Sequence, residues 1–157
     1  MIRFLYIVAS VILVIVLQGC DPNRVFDKTL QLENAAWDRN QIAKFEVDIT
    51  DTTTYYNVFV NLRNAGQYPY RNIYLFTQIK SPDGKYARDT AEFILADGRG
   101  NWRGKGIGDI WEYQFPYKQN VMFPKKGSYI IELEQAMRDK ELKYITDIGV
   151  RIEKVAE

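Results

Sequence analysis

Ile42-Ala43-Lys44-Phe45-Glu46-Val47-Asp48-Ile49-Thr50 decides the fold class. Phe45, Val47 and Ile49 alternate with Lys44, Glu46, Asp48 and Thr50. A period of two places apolar side chains on one face and charged ones on the other, which predicts a half-buried strand. The same pattern resumes in Thr54–Arg63. Tyr56, Val58, Val60 and Leu62 share one face, with Tyr55, Asn57, Phe59, Asn61 and Arg63 on the other. The linker between them, Asp51-Thr52-Thr53, suits a hairpin.

Outward from this pair the signal repeats. Asn64-Ala65-Gly66 and Pro69 break it. Ile73, Leu75, Thr77 and Ile79 form a further strand, with Tyr74 and Phe76 on its opposite face, a pattern compatible with burial on both sides. In Ser81-Pro82-Asp83-Gly84, Pro pre-sets φ and Gly supplies φ > 0, so a turn follows. Lys85–Leu95 then returns as a strand in a hairpin of the Phe76/Phe93 type, with Ala91, Phe93 and Leu95 inward. Ile110–Phe115 reads as a strand or short helix that Pro116 ends, and Asn120–Phe123 as a short strand. After the turn Pro124–Gly127, Ser128–Gln135 alternates again. Ala136–Lys143 is the one credible helical turn, and Ile145–Lys154 closes the chain with Ile148, Val150 and Ile152 inward. Upstream, Arg24–Leu32 is a first strand or a tether. Glu33–Asp38 is a connection, with Trp37 plugging the core edge. Seven to nine short strands with almost no helix predict an all-β fold, an antiparallel β-sandwich or jelly roll in one domain.

Composition narrows the function. The chain has 157 residues, 21 Lys+Arg against 20 Asp+Glu, one cysteine and no histidine. Near-neutral charge leaves no nucleic-acid footprint. Without histidine, Ser-His-Asp and Cys-His catalysis in their usual forms, and histidine-ligated metals, are excluded. A lone cysteine rules out an intramolecular disulfide, so the core alone must hold the domain. Neither a cofactor nor a metal is implied.

The first twenty residues carry a different signal. Met1-Ile2-Arg3 is a short positive start, and Phe4–Leu17 is almost wholly apolar. That run is shorter than the roughly 20 apolar residues a spanning helix needs. It ends at Leu17-Gln18-Gly19-Cys20, and the polar Asp21-Pro22-Asn23-Arg24 follows. These are the parts of a cleaved export signal. Leu17–Cys20 resembles the bacterial lipobox, which implies residues 1–19 as signal peptide, Cys20 as a diacylated N-terminus, 20–24 as a tether and 20–157 as the mature chain. One acyl chain binds membranes only marginally, whereas two or three hold.

Two constellations are candidates for chemistry. Residues 97–111 form a glycine-rich, basic and aromatic loop: Asp97, Arg99, Trp102, Arg103, Lys105, Asp109 and Trp111 make it a candidate binding site for a protein or a glycan through stacking and cation–π contacts. Its Gly104-x-Gly106-x-Gly108 lacks the spacing and βαβ setting of a nucleotide loop; a long loop needing several φ > 0 residues accounts for the glycines. Asp97, Asp109 and Glu112 would act as a calcium site or a glycosidase pair only if the fold gathered them. Glu132 and Glu134 read as a solvated strand face.

The order of segments resembles the GldH family of gliding-motility lipoproteins across essentially the whole mature chain. The resemblance is carried by Cys20-Asp21 with Val25-Phe26, Trp37, Phe45-Glu46 to Thr52, Tyr56-Asn57, Arg63–Gly66 with Tyr68-Pro69-Tyr70, Asn72–Phe76, Pro82–Lys85 and Ala87–Thr90. It continues through Leu95–Asp97, Gly100, Trp102, Gly104–Gly106, Gly108–Ile110, Phe123-Pro124, Lys126-Gly127, Glu134–Arg138 and Asp147–Lys154. It implies an accessory, non-enzymatic lipoprotein with protein partners in the gliding apparatus, anchored to the membrane by its N-terminal lipid. No catalytic residue transfers. The start Cys20-Asp21-Pro22 lacks the acidic cluster that resembles a surface-export signal, so the periplasmic face of the outer membrane is expected. Asp51-Thr52-Thr53 and Asp89-Thr90-Ala91 resemble the Asp-Thr-x motif of periplasmic O-glycosylation, which marks Thr52 and Thr90 as candidate acceptors. A turn threonine using its hydroxyl locally is the alternative.

Overall fold

Alternation places Phe45, Val47 and Ile49, and Tyr56, Val58, Val60 and Leu62, on buried faces with exposures of 4% or less. Burying each such aliphatic side chain contributes about 1.5–3 kcal/mol, so these rows draw two sheets face to face. The computed structural model describes residues 21–156; residues 1–19, expected as a signal peptide, and Cys20 lie outside the described residues.

Eleven strands are present among the described residues: β1 Arg24–Gln31, β2 Ala36–Asp38, β3 Ala43–Ile49, β4 Tyr56–Ala65, β5 Asn72–Lys80, β6 Tyr86–Ile94, β7 Lys105–Ile107, β8 Ile110–Val121, β9 Gly127–Gln135, β10 Glu141–Lys143 and β11 Ile145–Lys154. One sheet has the order β1-β11-β4-β8-β7 and the other β3-β9-β5-β6; β2 and β10 form a two-stranded patch. All pairings are antiparallel. The fold is thus the expected all-β antiparallel sandwich in a single domain.

Several local expectations are corrected. Asp51-Thr52-Thr53 is not a hairpin but a crossover, because β3 and β4 belong to different sheets. Asp51 builds it by accepting from Thr53 N (2.9 Å) and Thr53 Oγ1 (2.7 Å). Tyr74 and Phe76 are exposed, so β5 is buried on one face only. The β5–β6 hairpin forms, but Phe93 lies opposite Ile73 and Phe76 opposite Thr90. Phe93 faces the core and Phe76 does not. Pro116 does not end its strand; β8 runs through it to Val121. β7 covers only Ile110–Glu112 of β8, so Pro116 sits on an open edge, where a missing N–H is tolerated. Residues 136–140 make a bend rather than a helical turn. Polar side chains capture its backbone: Gln135 Nε2 donates to Asp139 O (2.8 Å), and Arg39 Nη2 to Met137 O (2.8 Å). The count exceeds the expected seven to nine because β2, β7 and β10 are three residues each. Arg24–Gln31 is a strand, and Trp37 is fully buried, with its Nε1 donating to Gln41 O at 2.8 Å.

Strand registers define two ends. At the N-terminal end lie Asp21–Asn23, the 50–55 crossover, the 81–85 turn and the 122–126 segment. They are tied together by Lys154 Nζ to Asp51 (3.0 Å), Lys125 Nζ to Asp83 (2.7 Å) and Lys154 N to Asn23 O (2.8 Å). The loop end carries 66–71, 95–109 and 136–140.

Candidate interaction site at the loop end

Loop 97–109 is built by one carboxylate. Asp97 Oδ1 accepts from Arg99 N (2.8 Å) and Asn101 N (2.9 Å), and Oδ2 accepts from Asn101 Nδ2 (3.0 Å). These bonds, led by the Asn101 side chain, hold the Asp97 carboxyl below its ordinary range. The turn so formed leaves Arg99 exposed at its tip. Trp102 then bridges back to Ala96, and Arg103 N donates to Leu95 O at 2.8 Å.

Trp102 is half-buried and packs on Tyr68, with ring centroids 6.4 Å apart. Tyr68 meets Tyr70 edge-on at 5.7 Å. The buried Tyr68 hydroxyl donates to Asn72 O (3.0 Å), and desolvation pushes its pKa up. Tyr70 donates to Asp139 (2.7 Å), the leading cause of its own raised pKa. An aromatic ladder therefore links the 97–103 turn to the 136–140 bend.

The second half of the expected loop is partly strand. β7 and the start of β8 make a hairpin with Ile107 opposite Ile110 and Gly108 at φ 63°. Asp109 pins its tip: Oδ2 accepts from Gln67 Nε2 (2.8 Å), and the Asp109 carbonyl accepts from Gly66 N (2.9 Å). Positive φ explains Gly100 and Gly108 but not Gly104 and Gly106. A Cβ on Gly104 would lie 2.7 Å from the Tyr113 ring, and one on Gly106 2.8 Å from the Trp111 ring. Close approach is what those two provide. Tyr113 is buried there, donates to Leu95 O (3.0 Å), and is pushed up to about 12 by desolvation.

Beside the loop, an open groove of about 990 Å³ runs from the outer face of the five-stranded sheet past β8 to Glu92–Ile94 of β6 in the other sheet. Arg103 and Lys105 line one side, and Arg63, Asn61, Asp27 and Arg151 the floor and far side. Arg63 Nη2 lies 2.9 Å from Glu112. Arg151, only 17% exposed, meets Asp21, Asp27 and Glu153 together. The fold thus brings Arg103 and Lys105 together with strand residues that sequence reasoning did not select. Asn61 and Arg63 do stand on the polar alternation of β4, which is the only signal for them. Asp27 and Arg151 are brought in by register.

Asp97, Asp109 and Glu112 do not converge; each is engaged by different partners. No cluster of metal-ligating side chains is present among the described residues. The glycan expectation is not supported. Trp102 and Trp111 are half-buried against Tyr68 and Gly106 and offer no exposed coplanar platform. Thr52 is half-buried in the crossover, and Thr90 is exposed on edge strand β6.

Residues 24–152 match the model of the family described as GldH lipoprotein. The chain is 39% identical over 148 residues to the "Gliding motility lipoprotein GldH homolog" of Christiangramia forsetii, covering 90% of each chain. It is 38% identical over 146 residues to the "Gliding motility lipoprotein GldH" of Flavobacterium johnsoniae, covering 88% of this chain and 90% of that one. Among solved structures, Pseudomonas aeruginosa AlgX is similar at a TM-score of 0.40 and 12% identity, covering 88% of this chain and 27% of that one.

Proposed function

This chain belongs to the GldH lipoprotein family, and from that premise we propose how it is anchored and where it meets its partners. It is a lipid-anchored cell-envelope lipoprotein, an accessory component of the gliding motility machinery with protein partners in that apparatus. The observation that carries this is the match along nearly the whole chain, from β1 to β11. In the proposed arrangement, cleavage after residue 19 leaves Cys20 as the acylated N-terminus. Residues 20–24 are the tether, and 20–157 the mature domain. The domain faces the periplasm from the outer membrane, which the absence of an acidic cluster after Cys20 supports.

Its role is binding rather than catalysis. The carboxylates best placed by sequence are each held in a separate structural bond, which supports that reading. Partner contact is assigned to the loop end, through Arg99 at the tip and Arg103 and Lys105 beside the groove. The Asp97 turn and the Asp109-pinned hairpin support this by presenting basic groups on a preformed backbone, which lowers the ordering cost of association. Thr90 is the better O-glycan acceptor of the two threonines, since it is exposed whereas Thr52 is half-buried. An intact mass equal to the bare lipidated chain would remove both.

The test is genetic. The gene is deleted, wild type or Cys20→Ala is restored, and single cells are filmed on agar. Gliding lost in the deletion and restored only by the acylatable form supports the anchored role. Normal gliding in deleted cells would sink it.

A further inference from the structure

We infer that the N-terminal end of the sandwich rests on the lipid bilayer, with the apolar cleft at that end and its surrounding lysines lying in the headgroup layer. The inference depends on the reading of Cys20 as the acylated residue.

Asp21 follows Cys20 directly, and consecutive Cα atoms are about 3.8 Å apart. Asp21 is not on a loose linker. Its carboxylate meets Arg151 and accepts from Asn23 N (3.1 Å), and its carbonyl accepts from Arg24 N (3.3 Å). Asn23 O in turn accepts from Lys154 N on β11 at 2.8 Å. Acyl chains on Cys20 would therefore enter the bilayer within a few ångströms of this end.

The end itself has the composition of an interfacial surface. Tyr86 is 68%, Tyr55 51% and Met122 48% exposed, far more than a tyrosine or methionine needs for packing. Between the 81–87 and 121–125 segments opens a cleft of about 500 Å³, lined by Ile79, Tyr86, Val121, Met122 and Pro124. Around it, Lys80, Lys85 and Lys126 make no ion pair among the described residues, while the one carboxylate lining the cleft, Asp83, is neutralised by Lys125 at 2.7 Å. Tyrosines favour the membrane–water boundary, and lysine stems cover apolar surface while their heads reach phosphate. Each such cation adds a modest attraction to an anionic surface. That is weak for a free protein, but the acyl tether makes the contact intramolecular, at an effective concentration on the order of millimolar. The cleft opens beside the end of β8, three strand spacings or about 14 Å from β1, so the tether holds it close to the bilayer surface, which is why lipid is favoured as its neighbour. The loop end, a ten-residue strand away at about 3.3 Å per residue, then points outward with Arg99 and the 66–71 turn.

The only cysteine is Cys20, so once it is acylated an introduced cysteine is the sole free thiol. Full-length acylated protein carrying Met122→Cys, Lys126→Cys or Arg99→Cys is spin-labelled in vesicles of phosphatidylethanolamine and phosphatidylglycerol. Collision with a water-soluble nickel chelate is then measured. The expected result is low nickel access at 122 and 126, with high access at 99 on the same vesicles. Nickel access kept at all three sites, in protein that floats with the vesicles, overturns the inference and frees the cleft for a protein partner. Protein whose mass shows no lipid and which does not float overturns the Cys20 reading, and this inference with it.

Discussion

Gly149 is the position where a single methyl group should detach one strand and leave the rest standing. It lies on β11 opposite Thr29 of β1. A Cβ built there falls 2.7 Å from Lys28 O and 3.2 Å from Thr29 Cα. Both are backbone atoms, so no side chain can swing aside and β1 itself must move. Overpacking of this kind costs about 1–3 kcal/mol. Gly→Ala also stiffens the unfolded chain, worth about 0.4–1 kcal/mol in the opposite direction. The two terms act on different equilibria. When β1 alone opens, residue 149 stays folded between β1's vacated edge and β4, so the full steric cost drives the opening. When the whole domain unfolds, the entropy term offsets part of it. β1 is also weakly held from the start: Phe26 is its one half-buried side chain. At about 1.4 kcal/mol per tenfold, Gly149→Ala should raise β1 opening roughly 5- to 150-fold. Native-state hydrogen exchange on peptides covering Val25–Gln31 reads this, with peptides from β4 and β9 as controls. Unchanged protection in β1, or an equal loss across all three strands, would refute the claim that β1 is a separable unit wedged by this contact.

Trp37→Ala removes a side chain with no exposed surface and its bond to Gln41 O; a loss of about 3–5 kcal/mol is expected, read as a Tm lowered by roughly 10 °C or more. Acid should weaken the fold in a predictable sense. Asp89 accepts from Lys118 Nζ (2.7 Å) and Tyr117 OH (3.1 Å), and the Lys118 bond leads in depressing its pKa. A depressed carboxyl contributes stability that is fully present above its unfolded value, about 3.9, and is lost as pH falls through the lower folded value. Asp89→Asn should thus lower the urea midpoint at neutral pH, and the gap between wild type and variant should shrink as pH falls below the unfolded value of about 3.9. A gap that stays constant with pH would count against it.

Much of the fold was legible because alternation in β3, β4, β9 and β11 is a direct record of which face is dry. Tyr56, Val58, Val60 and Leu62 needed no tertiary information. What escaped was relational. The crossover at Asp51–Thr53 looks like a hairpin locally, and only the sheet assignment of β3 and β4 separates the two. Pro116 is a strand breaker in isolation and a tolerated edge residue once β7 is seen to stop at Lys105–Ile107. At the site, the basic and aromatic character of residues 97–111 was readable, but their exposure was not. Trp102 is withdrawn onto Tyr68, and Arg103 and Lys105 acquire Arg63, Asp27 and Arg151 as neighbours through register. No spacing along the chain encodes contacts between β1, β4, β8 and β11.

The antiparallel run of β1 beside β11, from Arg24 opposite Glu153 to Gln31 opposite Asp147, sets how the domain responds to tension. Strain applied at residue 21 and resisted at the far end acts along the axis of β1. The ladder is then sheared, with all its hydrogen bonds opposing the load at once, rather than peeled one bond at a time. Arg151 adds a brace to that geometry, bonding to Asp21 ahead of the strand and Asp27 within it. Single-molecule stretching between residues 21 and 99 should therefore give one abrupt rupture at high force; a low, gradual extension would show that the ladder unzips. Rigidity under a lengthwise pull, at modest equilibrium stability of the strand that bears it, is a mechanical property of the topology and not of any one side chain.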